Sequence, residues 1–197
     1  MSLRAVEKTD VTAVSKMLSR AFLDDPFLNW FIRQDGQRDA ASDLFFRIAL
    51  AQGMPHRQVM MAADGGGAAI WFPPGKWQMG ILQQLMMVPR VVRATSVRRL
   101  PFILKHINKV LAVHPHKPHR YLYILGVDPA RQGQGLGGQL LTPALAECDR
   151  EGLPAYLETA KEKNLGFYRK NGFQVTSEVL LPPDCNIWGM WREPRRA

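Results

Sequence analysis

The sequence predicts a mixed α/β fold in which one mixed sheet carries helices on both faces. Short apolar runs that end at Gly, Pro or Asp alternate along the chain with longer segments whose apolar residues recur at helical spacing. The length of 197 residues fits one domain with a sizeable core, and the chain contains no internal repeat, low-complexity tract or linker.

The first part of the chain predicts a strand, three helices and a hairpin. Thr9 or Asp10 could cap the first helix, and Gly53 follows the last one. The glycines after Asp64 favour a tight turn between two short strands. The expected elements are a strand at 3–6, helices at 10–22, 26–31 and 39–52, and strands at 59–62 and 68–72.

The second part predicts two helices and then an alternation of strands and helices. In the second of these helices Leu100, Ile103 and Ile107 lie on one face, whereas Lys105 and Lys109 lie on the other. After an irregular link, the expected elements are a strand at 120–127, a helix at 135–150, a strand at 154–158, a helix at 164–170 and strands at 173–181 and 186–192.

The positive charge is concentrated in one segment. The formal net charge is +9, and residues 76–120 contain nine of the 26 basic residues and no Asp or Glu. This segment is either a solvated basic face or the source of a field that attracts an anionic ligand. It has few aromatic residues and no nucleic-acid motif, so we expect neither nucleic acid nor a membrane as a partner.

Composition also bears on location and cysteine chemistry. No stretch approaches the ~20 apolar residues that cross a bilayer, and charges stand near the N-terminus where an export signal has its apolar core. Cys148 and Cys185 lack metal-ligand spacing. We therefore expect a cytoplasmic protein with free thiols and no metal.

A glycine-rich loop lies between a predicted strand and a predicted helix. It runs Arg131-Gln132-Gly133-Gln134-Gly135-Leu136-Gly137-Gly138. Such a loop leaves several backbone N–H groups uncovered beside a helix N-terminus, and together these favour an anion such as a diphosphate. The sequence therefore predicts a phosphorylated ligand at residues 131–138.

Two phosphate-binding patterns fit this loop. Gly133, Gly135 and Gly138 match the dinucleotide fingerprint, and Glu158 follows at the distance where that fold has an acidic residue. However, residues 128–132 separate the strand from the first glycine, and only 59 residues follow Gly138. An NAD-binding protein is therefore the less favoured hypothesis.

The second pattern is Q/R-x-x-G-x-G/A, which Gln132, Gly135 and Gly137 meet. The flanking motifs are Val127-Asp128-Pro129 before it, and Asn164, Phe167-Tyr168 and Gly172-Phe173 after it. In these motifs the chain from about Tyr121 to Trp191 resembles the GCN5-related N-acetyltransferase (GNAT) superfamily. Residues 69–75 and 153–159 are similar to its puromycin N-acetyltransferase-like branch.

The resemblance implies a fold and an acetyl donor. In this superfamily a mostly antiparallel, twisted sheet opens as a V between two parallel strands, here 121–127 and 154–159. Acetyl-CoA binds in the opening as the acetyl donor, and no metal takes part. The implied organisation is a single N-acetyltransferase domain over residues 1–197, with a CoA-binding core at about 120–175 and a basic helical insertion at about 76–119.

The resemblance also implies which residues bind acetyl-CoA. The backbone of the first V strand would pair with the pantetheine arm, and the loop N–H groups would hold the pyrophosphate. Arg131 either reaches a phosphate or is solvated, and for Phe167 a core role is favoured over a role in binding. The expected residues are Leu125, Gly126, Val127, Arg131, Gln132, Gly133, Gln134, Gly135, Leu136, Gly137, Gly138, Asn164, Phe167 and Tyr168.

Catalysis is expected to proceed by direct attack of a neutral amine on the thioester carbonyl. A backbone N–H of Leu125 or Val127 would meet the oxyanion. Tyr168 would protonate the departing thiolate, because a phenol near the sulfur can supply a proton. A half-buried structural tyrosine is the other interpretation of Tyr168. No covalent enzyme intermediate is required.

The sequence defines the general base less well. Some superfamily members place a Glu early in the strand that here begins with Tyr121, and this chain has none there. Tyr121 and Tyr123 are expected on the same face as Leu125, where they would line the cleft. Glu158 is the nearest acidic candidate, with a structural strand-end role as the alternative. Weaker candidates are Asp24, Asp25 and His119.

The acceptor site is expected outside these motifs, near residues 22–30, the loop at 71–77 and the basic helices. Trp30, Trp71 and Trp77 either wall an aromatic pocket or pack in the core. Like-charge repulsion from the basic helices disfavours a polyamine. The sequence thus favours N-acetylation of a small-molecule primary amine by a monomer or homodimer. A non-catalytic acyl-CoA sensor on the same fold is the alternative.

Overall fold

A seven-stranded sheet organises the protein. The structure, a computed structural model, describes residues 2–78 and 80–195, apart from the side chains at positions 82 and 83. The strands are β1 Leu3–Ala5, β2 Val59–Ala62, β3 Gly67–Phe72, β4 Arg120–Val127, β5 Ala155–Thr159, β6 Gln174–Leu181 and β7 Cys185–Arg192. They lie in the order β1-β2-β3-β4-β5-β7-β6, and every neighbouring pair is antiparallel except the parallel pair β4–β5.

Seven α-helices occur in the described part of the chain. They are α1 Val11–Ala21, α2 Pro26–Phe31, α3 Arg38–Gly53, α4 Ile81–Thr95, α5 Leu100–Val113, α6 Leu136–Glu151 and α7 Leu165–Lys170. The boundaries predicted from the sequence for strands and helices agree with these to within one residue. The mixed, mostly antiparallel sheet with helices on both faces is confirmed.

Each face of the sheet has its own apolar core. On one face α1 and α3 pack against β2, β3 and β4 through fully buried residues such as Leu18, Phe46 and Ile70. On the other face α6 and α7 pack against the sheet around Leu141 and Phe173. A third cluster joins α2 and α5 to β6 and β7. Burial of each large side chain stabilises the fold by about 1.5–3 kcal/mol.

A β-bulge interrupts the pairing of β3 with β4. The register shifts between Ile70 and Trp71 of β3, and Tyr123 of β4 has no partner in β3. An extra residue of this kind reverses the side-chain alternation beyond it and increases the local twist. Tyr121 and Tyr123 therefore pack with α1 and α3, whereas Leu125 packs with α6. The predicted placement of both tyrosines on the face of Leu125 is wrong for this reason.

The basic segment forms the two predicted helices α4 and α5, and two of its charges are structural. Arg99 donates hydrogen bonds to the carbonyl oxygens of Trp30 and Ile32. Arg120 is buried and pairs with two glutamates of α6. The other seven basic side chains are exposed, namely Lys76, Arg90, Arg93, Arg98, Lys105, Lys109 and Lys117. Among the residues that the structure describes, no helix combines the length and apolar character of a membrane span.

Helix α1 approaches β4 closely at Gly126. A Cβ atom at this position would collide with Leu18 and lie 3.1 Å from Cε2 of Phe22. We expect Gly126→Ala to lower the free energy of unfolding by about 1–3 kcal/mol, because extra volume in a packed core forces its neighbours out of place. Urea unfolding followed by circular dichroism measures this loss.

Gly36→Ala is the matched control, because a Cβ atom at Gly36 meets no atom within 4 Å. We expect that variant to unfold at the same urea concentration as the wild type. Equal stability of the Gly126 and Gly36 variants would contradict the packing of α1 described above.

Both cysteines are expected to be unreactive in the folded protein. Cys148 and Cys185 are buried, and burial raises the pKa of the Cys148 thiol to about 11 and that of Cys185 to about 12. Because the thiolate is the reactive form, dithiobis-nitrobenzoate at pH 8 should release no chromophore from the native protein and two equivalents after denaturation. Rapid reaction of either thiol in the native state would contradict this burial.

Candidate active site

Strands β4 and β5 separate after a short paired stretch. Residues 120–122 pair with residues 155–157. Beyond that point β4 pairs with β3, and β5 pairs with β7. The result is a V-shaped opening with residues 124–127 on one side and residues 158–159 on the other. Backbone polar groups of β4 that face the opening have no strand partner there, so a ligand with amide groups could supply one.

The glycine-rich loop lies at the open end of this V and leads into α6. Gly133 and Gly135 have positive φ angles of 76° and 77°, which other residues adopt only with strain. Gly135 immediately precedes α6, and no side chain caps that helix. The first N–H groups of α6 therefore lack intrahelical partners and are available to an anion. Leu136 is buried beneath the loop and anchors it to the core.

Side chains of the loop fix its position. Nε2 of Gln132 donates a hydrogen bond to the carbonyl oxygen of Val127 at 3.1 Å. Nη1 of Arg131 lies 2.5 Å from Oδ2 of Asp64, and its Nε donates to Oε1 of Gln134 at 3.0 Å. Arg131 thus ties the loop to the turn between β2 and β3.

Gly137, in the first turn of α6, allows α7 to approach. A Cβ atom at Gly137 would lie 3.3 Å from Cζ of Phe167 and 3.9 Å from Cγ2 of Val127. The end of β4, the start of α6 and the ring of Phe167 therefore meet at this point. Gly138, by contrast, faces open space.

Tyr168 lies in α7 on the same face of the sheet as α6. Its side chain is buried against Phe167 and Phe173, with ring centroids 5.1 and 6.0 Å away. Burial, and secondarily the charge of Asp25, raises the pKa of the Tyr168 phenol above its usual value. The hydroxyl therefore keeps its proton and can act as a donor. Asn164 precedes α7 with helical backbone angles, so the four-residue spacing places it on the same face as Tyr168.

Glu158 lies on β5 where the opening begins, and two neighbours hold its carboxylate. The hydroxyl of Tyr121 donates to Oε2 at 2.5 Å, and Nδ1 of His114 lies 3.1 Å from Oε1. Burial first, and then the Glu158 charge, raises the pKa of Tyr121 well above its usual value, so this phenol remains a donor. The Glu158 side chain is 15% exposed, so this carboxylate is partly buried and both of its oxygens have a partner.

Aromatic and imidazole rings surround this carboxylate. The rings of Trp77 and Tyr156 lie 4.0 and 4.8 Å from that of His114. Nε2 of His114 lies 3.1 Å from Nε2 of His119, which is also buried. Beside the two histidines is a cavity of about 400 Å³, lined by Pro74, Gly75, Trp77, Gln78, Leu111, His114, Pro115, His116, Lys117, Pro118 and His119.

Comparison with known proteins shows which proteins have a similar sequence. The acetyltransferase (GNAT) domain family matches residues 101–175. An uncharacterized N-acetyltransferase of Schizosaccharomyces pombe is 25% identical, over 93% of this chain and 78% of that protein. Residues 101–175 are thus identified as a GNAT acetyltransferase domain.

Solved structures agree with this assignment at the level of the fold. A Corynebacterium glutamicum structure of histone acetyltransferase HPA2 and related acetyltransferase superposes with a TM-score of 0.72 at 21% identity, over 100% of this chain and 97% of that one. Arylalkylamine N-acetyltransferase 2 of Aedes aegypti gives 0.69 at 16% identity, over 98% and 99%. The protein is thus an acyltransferase with acetyl-CoA as its donor. Its similarity to the puromycin N-acetyltransferase-like branch stays a prediction.

The residues that the sequence predicted for this GNAT site lie on two sides of the opening. Leu125, Val127, Leu136, Phe167 and Tyr168 lie on the face of the sheet that carries α6. Gly126 faces α1, and Glu158 points to that other face with Tyr121. Of the weaker base candidates, His119 lies in this site beside His114, whereas Asp24 and Asp25 are engaged elsewhere. Asp24 pairs with Lys161 at the surface, and Asp25 caps α2 by accepting from the N–H of Leu28 at 2.9 Å.

The three tryptophans have different positions in the GNAT fold. Trp71 is buried in the core beneath α6. Trp30 is buried between α2 and β7, and its Nε1 donates to the carbonyl oxygen of Pro182 at 2.8 Å. The core interpretation therefore holds for these two, whereas Trp77 lines the cavity beside His114.

His114 is the residue of this site that sequence analysis missed. It belongs to the run His114-Pro115-His116-Lys117-Pro118-His119, which was expected only as an irregular link. A link has no periodicity from which a side-chain direction can be derived. The available signal was composition, because three of the five histidines of the chain lie within this run.

Proposed function

We propose that this protein transfers an acetyl group from acetyl-CoA to a primary amine of a small molecule by direct attack at the β4–β5 opening. The observation that carries the proposal is the Glu158 carboxylate, which Tyr121 and His114 hold at the start of the opening. Tyr168 lies on the donor side of the same opening with a protonated phenol. A base and an acid on opposite sides are what acyl transfer to an amine needs.

Donor binding uses the backbone of β4 and the glycine-rich loop. Leu125, Gly126 and Val127 present the unpaired strand edge to the pantetheine arm, with Asn164 as a second hydrogen-bonding group. Residues 132–138 direct N–H groups at the pyrophosphate, and Arg131 adds positive charge. Two features support this assignment: the positive φ angles in the loop and the uncapped start of α6. Phe167 packs on Gly137 and forms one wall of the opening between β4 and β5.

The residues around the opening have separate roles in the reaction. Glu158 removes a proton from the amine, and a carboxylate there also attracts the ammonium form. The N–H of Val127 or Leu125 stabilises the oxyanion. Gln132 holds the peptide between Val127 and Asp128 through the Val127 carbonyl oxygen and so fixes the end of β4. Tyr168 donates its proton to the thiolate.

A monoamine with an apolar or aromatic body is the acceptor class that we propose. Trp77 and Tyr121, which are only partly buried, place aromatic rings next to Glu158. Residues 76–119 contribute no carboxylate that could pair with a second ammonium group. The domain organisation follows from this assignment. The single catalytic domain spans residues 1–197, and the insertion at 76–119 shapes the acceptor side of its CoA-binding core at about 120–175.

The donor site is tested by calorimetry with acetyl-CoA in the wild type and in Gly135→Asp. We expect the variant to raise the Kd for acetyl-CoA at least about tenfold, because a carboxylate on the loop repels the pyrophosphate. Gly152→Asp is the matched control. Gly152 also has a positive φ, of 65°, but it lies at the other end of α6, and a Cβ at either glycine meets open space.

Two results would contradict this assignment of the donor site. If both variants bind acetyl-CoA as the wild type does, the pyrophosphate does not lie on this loop. If the wild type binds NADH and not acetyl-CoA, the protein is a dinucleotide-binding protein.

The catalytic assignment is tested by thiol release with dithiobis-nitrobenzoate and a panel of phenethylamine, tryptamine, glycine and spermidine. We expect the aromatic monoamines to be acetylated faster than spermidine. Glu158→Gln should lower kcat by about 10²–10⁴ with an unchanged Kd for acetyl-CoA, and Tyr168→Phe should also lower kcat. Retention of the wild-type kcat by Glu158→Gln would contradict the assignment of the base. Donor binding without turnover of any amine would instead indicate an acyl-CoA sensor.

A further inference from the structure

Most of helix α4 projects from the surface of the protein. Within residues 81–90 every side chain that the structure describes is exposed, except that of Met87, which is partly buried. The helix is fastened at its other end, where Ala94 and Thr95 are buried and the N–H of Arg33 donates to the carbonyl oxygen of Ala94 at 2.8 Å. The first part of α4 therefore buries little apolar surface against the rest of the chain.

The exposed part of α4 carries a strip of apolar side chains. Ile81, Leu85 and Val88 recur at helical spacing, so they share one face of the helix. Ile81 is 78% exposed and Leu85 63%, and Met86 beside them is also exposed. A contiguous apolar strip is unfavourable in water and is typical of a surface that a partner covers.

Two arginines flank this apolar strip. Arg90 and Arg93 are exposed on the adjoining surface of α4. Residues 76–120 contain no Asp or Glu, so no carboxylate of this segment neutralises them. Helix α3 packs against α4, but its Asp39 and Asp43 pair with arginines of α3 itself. The partner of α4 is therefore expected to be both anionic and apolar.

This combination distinguishes between the possible partners. A second copy of the chain would bring Arg90 and Arg93 of both helices together without a carboxylate, which is unfavourable. A nucleic acid supplies phosphates but offers little apolar surface to Ile81 and Leu85. An anionic membrane supplies both, because its charged headgroups lie directly above acyl chains. It also accepts a protruding helix without a matching groove.

We propose that α4 docks on the surface of an anionic membrane. Ile81, Leu85 and Val88 face the acyl chains, and Arg90 and Arg93 contact the headgroup phosphates. The proposal does not depend on the acetyl transfer proposed above. It departs from the expectation that the sequence gave for a membrane partner, because that expectation did not include the exposure of these apolar side chains.

Vesicle flotation of the full chain tests this docking. We expect the wild type to float with phosphatidylcholine vesicles that contain about one third phosphatidylglycerol, and not with phosphatidylcholine alone, at ~0.1 M salt. Leu85→Asn removes apolar contact, and the double variant Arg90→Glu, Arg93→Glu reverses the charge. Each should raise the apparent Kd for the anionic vesicles at least about fivefold.

Two controls match these changes elsewhere on the surface. Leu180→Asn replaces a leucine of similar exposure, 58%, on the edge strand β6. The double variant Arg169→Glu, Lys170→Glu makes the same change of charge at exposed residues of α7, on the opposite face of the sheet from α3 and α4. Both controls should bind the anionic vesicles within about twofold of the wild type.

Amide hydrogen exchange of the wild type gives a second measurement that needs no variant. Anionic vesicles should slow exchange at residues 81–93, because a docked helix opens less often. Flotation with neither vesicle, equal flotation with both, equal losses in the two charge variants, or unchanged exchange at residues 81–93 would overturn the proposal. A dimer without lipid that Leu85→Asn converts to a monomer would show instead that a second copy covers α4.

Discussion

The site depends on one irregularity in the sheet, the β-bulge that leaves Tyr123 without a partner in β3. A bulge bends its strand and increases the local twist. The pairing of β4 with β5 ends just before this residue, at Leu122. We infer that the bulge turns β4 away from β5 and so creates the opening. The same extra residue directs Tyr121 towards Glu158 and Leu125 towards α6, so that a single insertion separates an acceptor side from a donor side.

Charged contacts stabilise the two ends of β4 in different ways. At the closed end, buried Arg120 pairs with Glu147 at 2.6 Å and Glu151 at 2.9 Å, which ties the start of the strand to the last turns of α6. At the open end, the partly exposed pair of Arg20 and Asp128 links α1 to the residue after β4. Exposed pairs contribute little stability by themselves, so we regard the second contact mainly as positioning.

The opening explains how one fold can serve both reactants. Backbone groups along β4 can pair with an amide-containing arm independently of side chains, and the proposed donor site accordingly consists largely of glycines and main chain. The proposed acceptor side consists of side chains, among them Trp77, Tyr121 and Glu158. Substitutions in the loop are therefore expected to affect donor affinity, whereas substitutions around Glu158 affect the choice and deprotonation of the amine.

Sequence reasoning located the elements well, because apolar periodicity and glycine position are local properties. The loop at 131–138, the helix that follows it and the position of Glu158 were all available from spacing alone. The bulge was not, because an alternating run such as residues 121–127 looks regular until its partner strand is known. For the same reason the sheet face predicted for Tyr121 and Tyr123 was wrong. The contact of His114 with Glu158 could not be predicted, because the two residues are 44 positions apart in the sequence.

Amide hydrogen exchange with and without acetyl-CoA tests the central claim that the β4 edge receives the donor. The account predicts that acetyl-CoA slows exchange at residues 124–127 and in the loop at 132–138, because both gain hydrogen-bond partners. Exchange in β1 and β2, remote from the opening, should not change. Bound acetyl-CoA with no added protection at residues 124–127 would contradict the account.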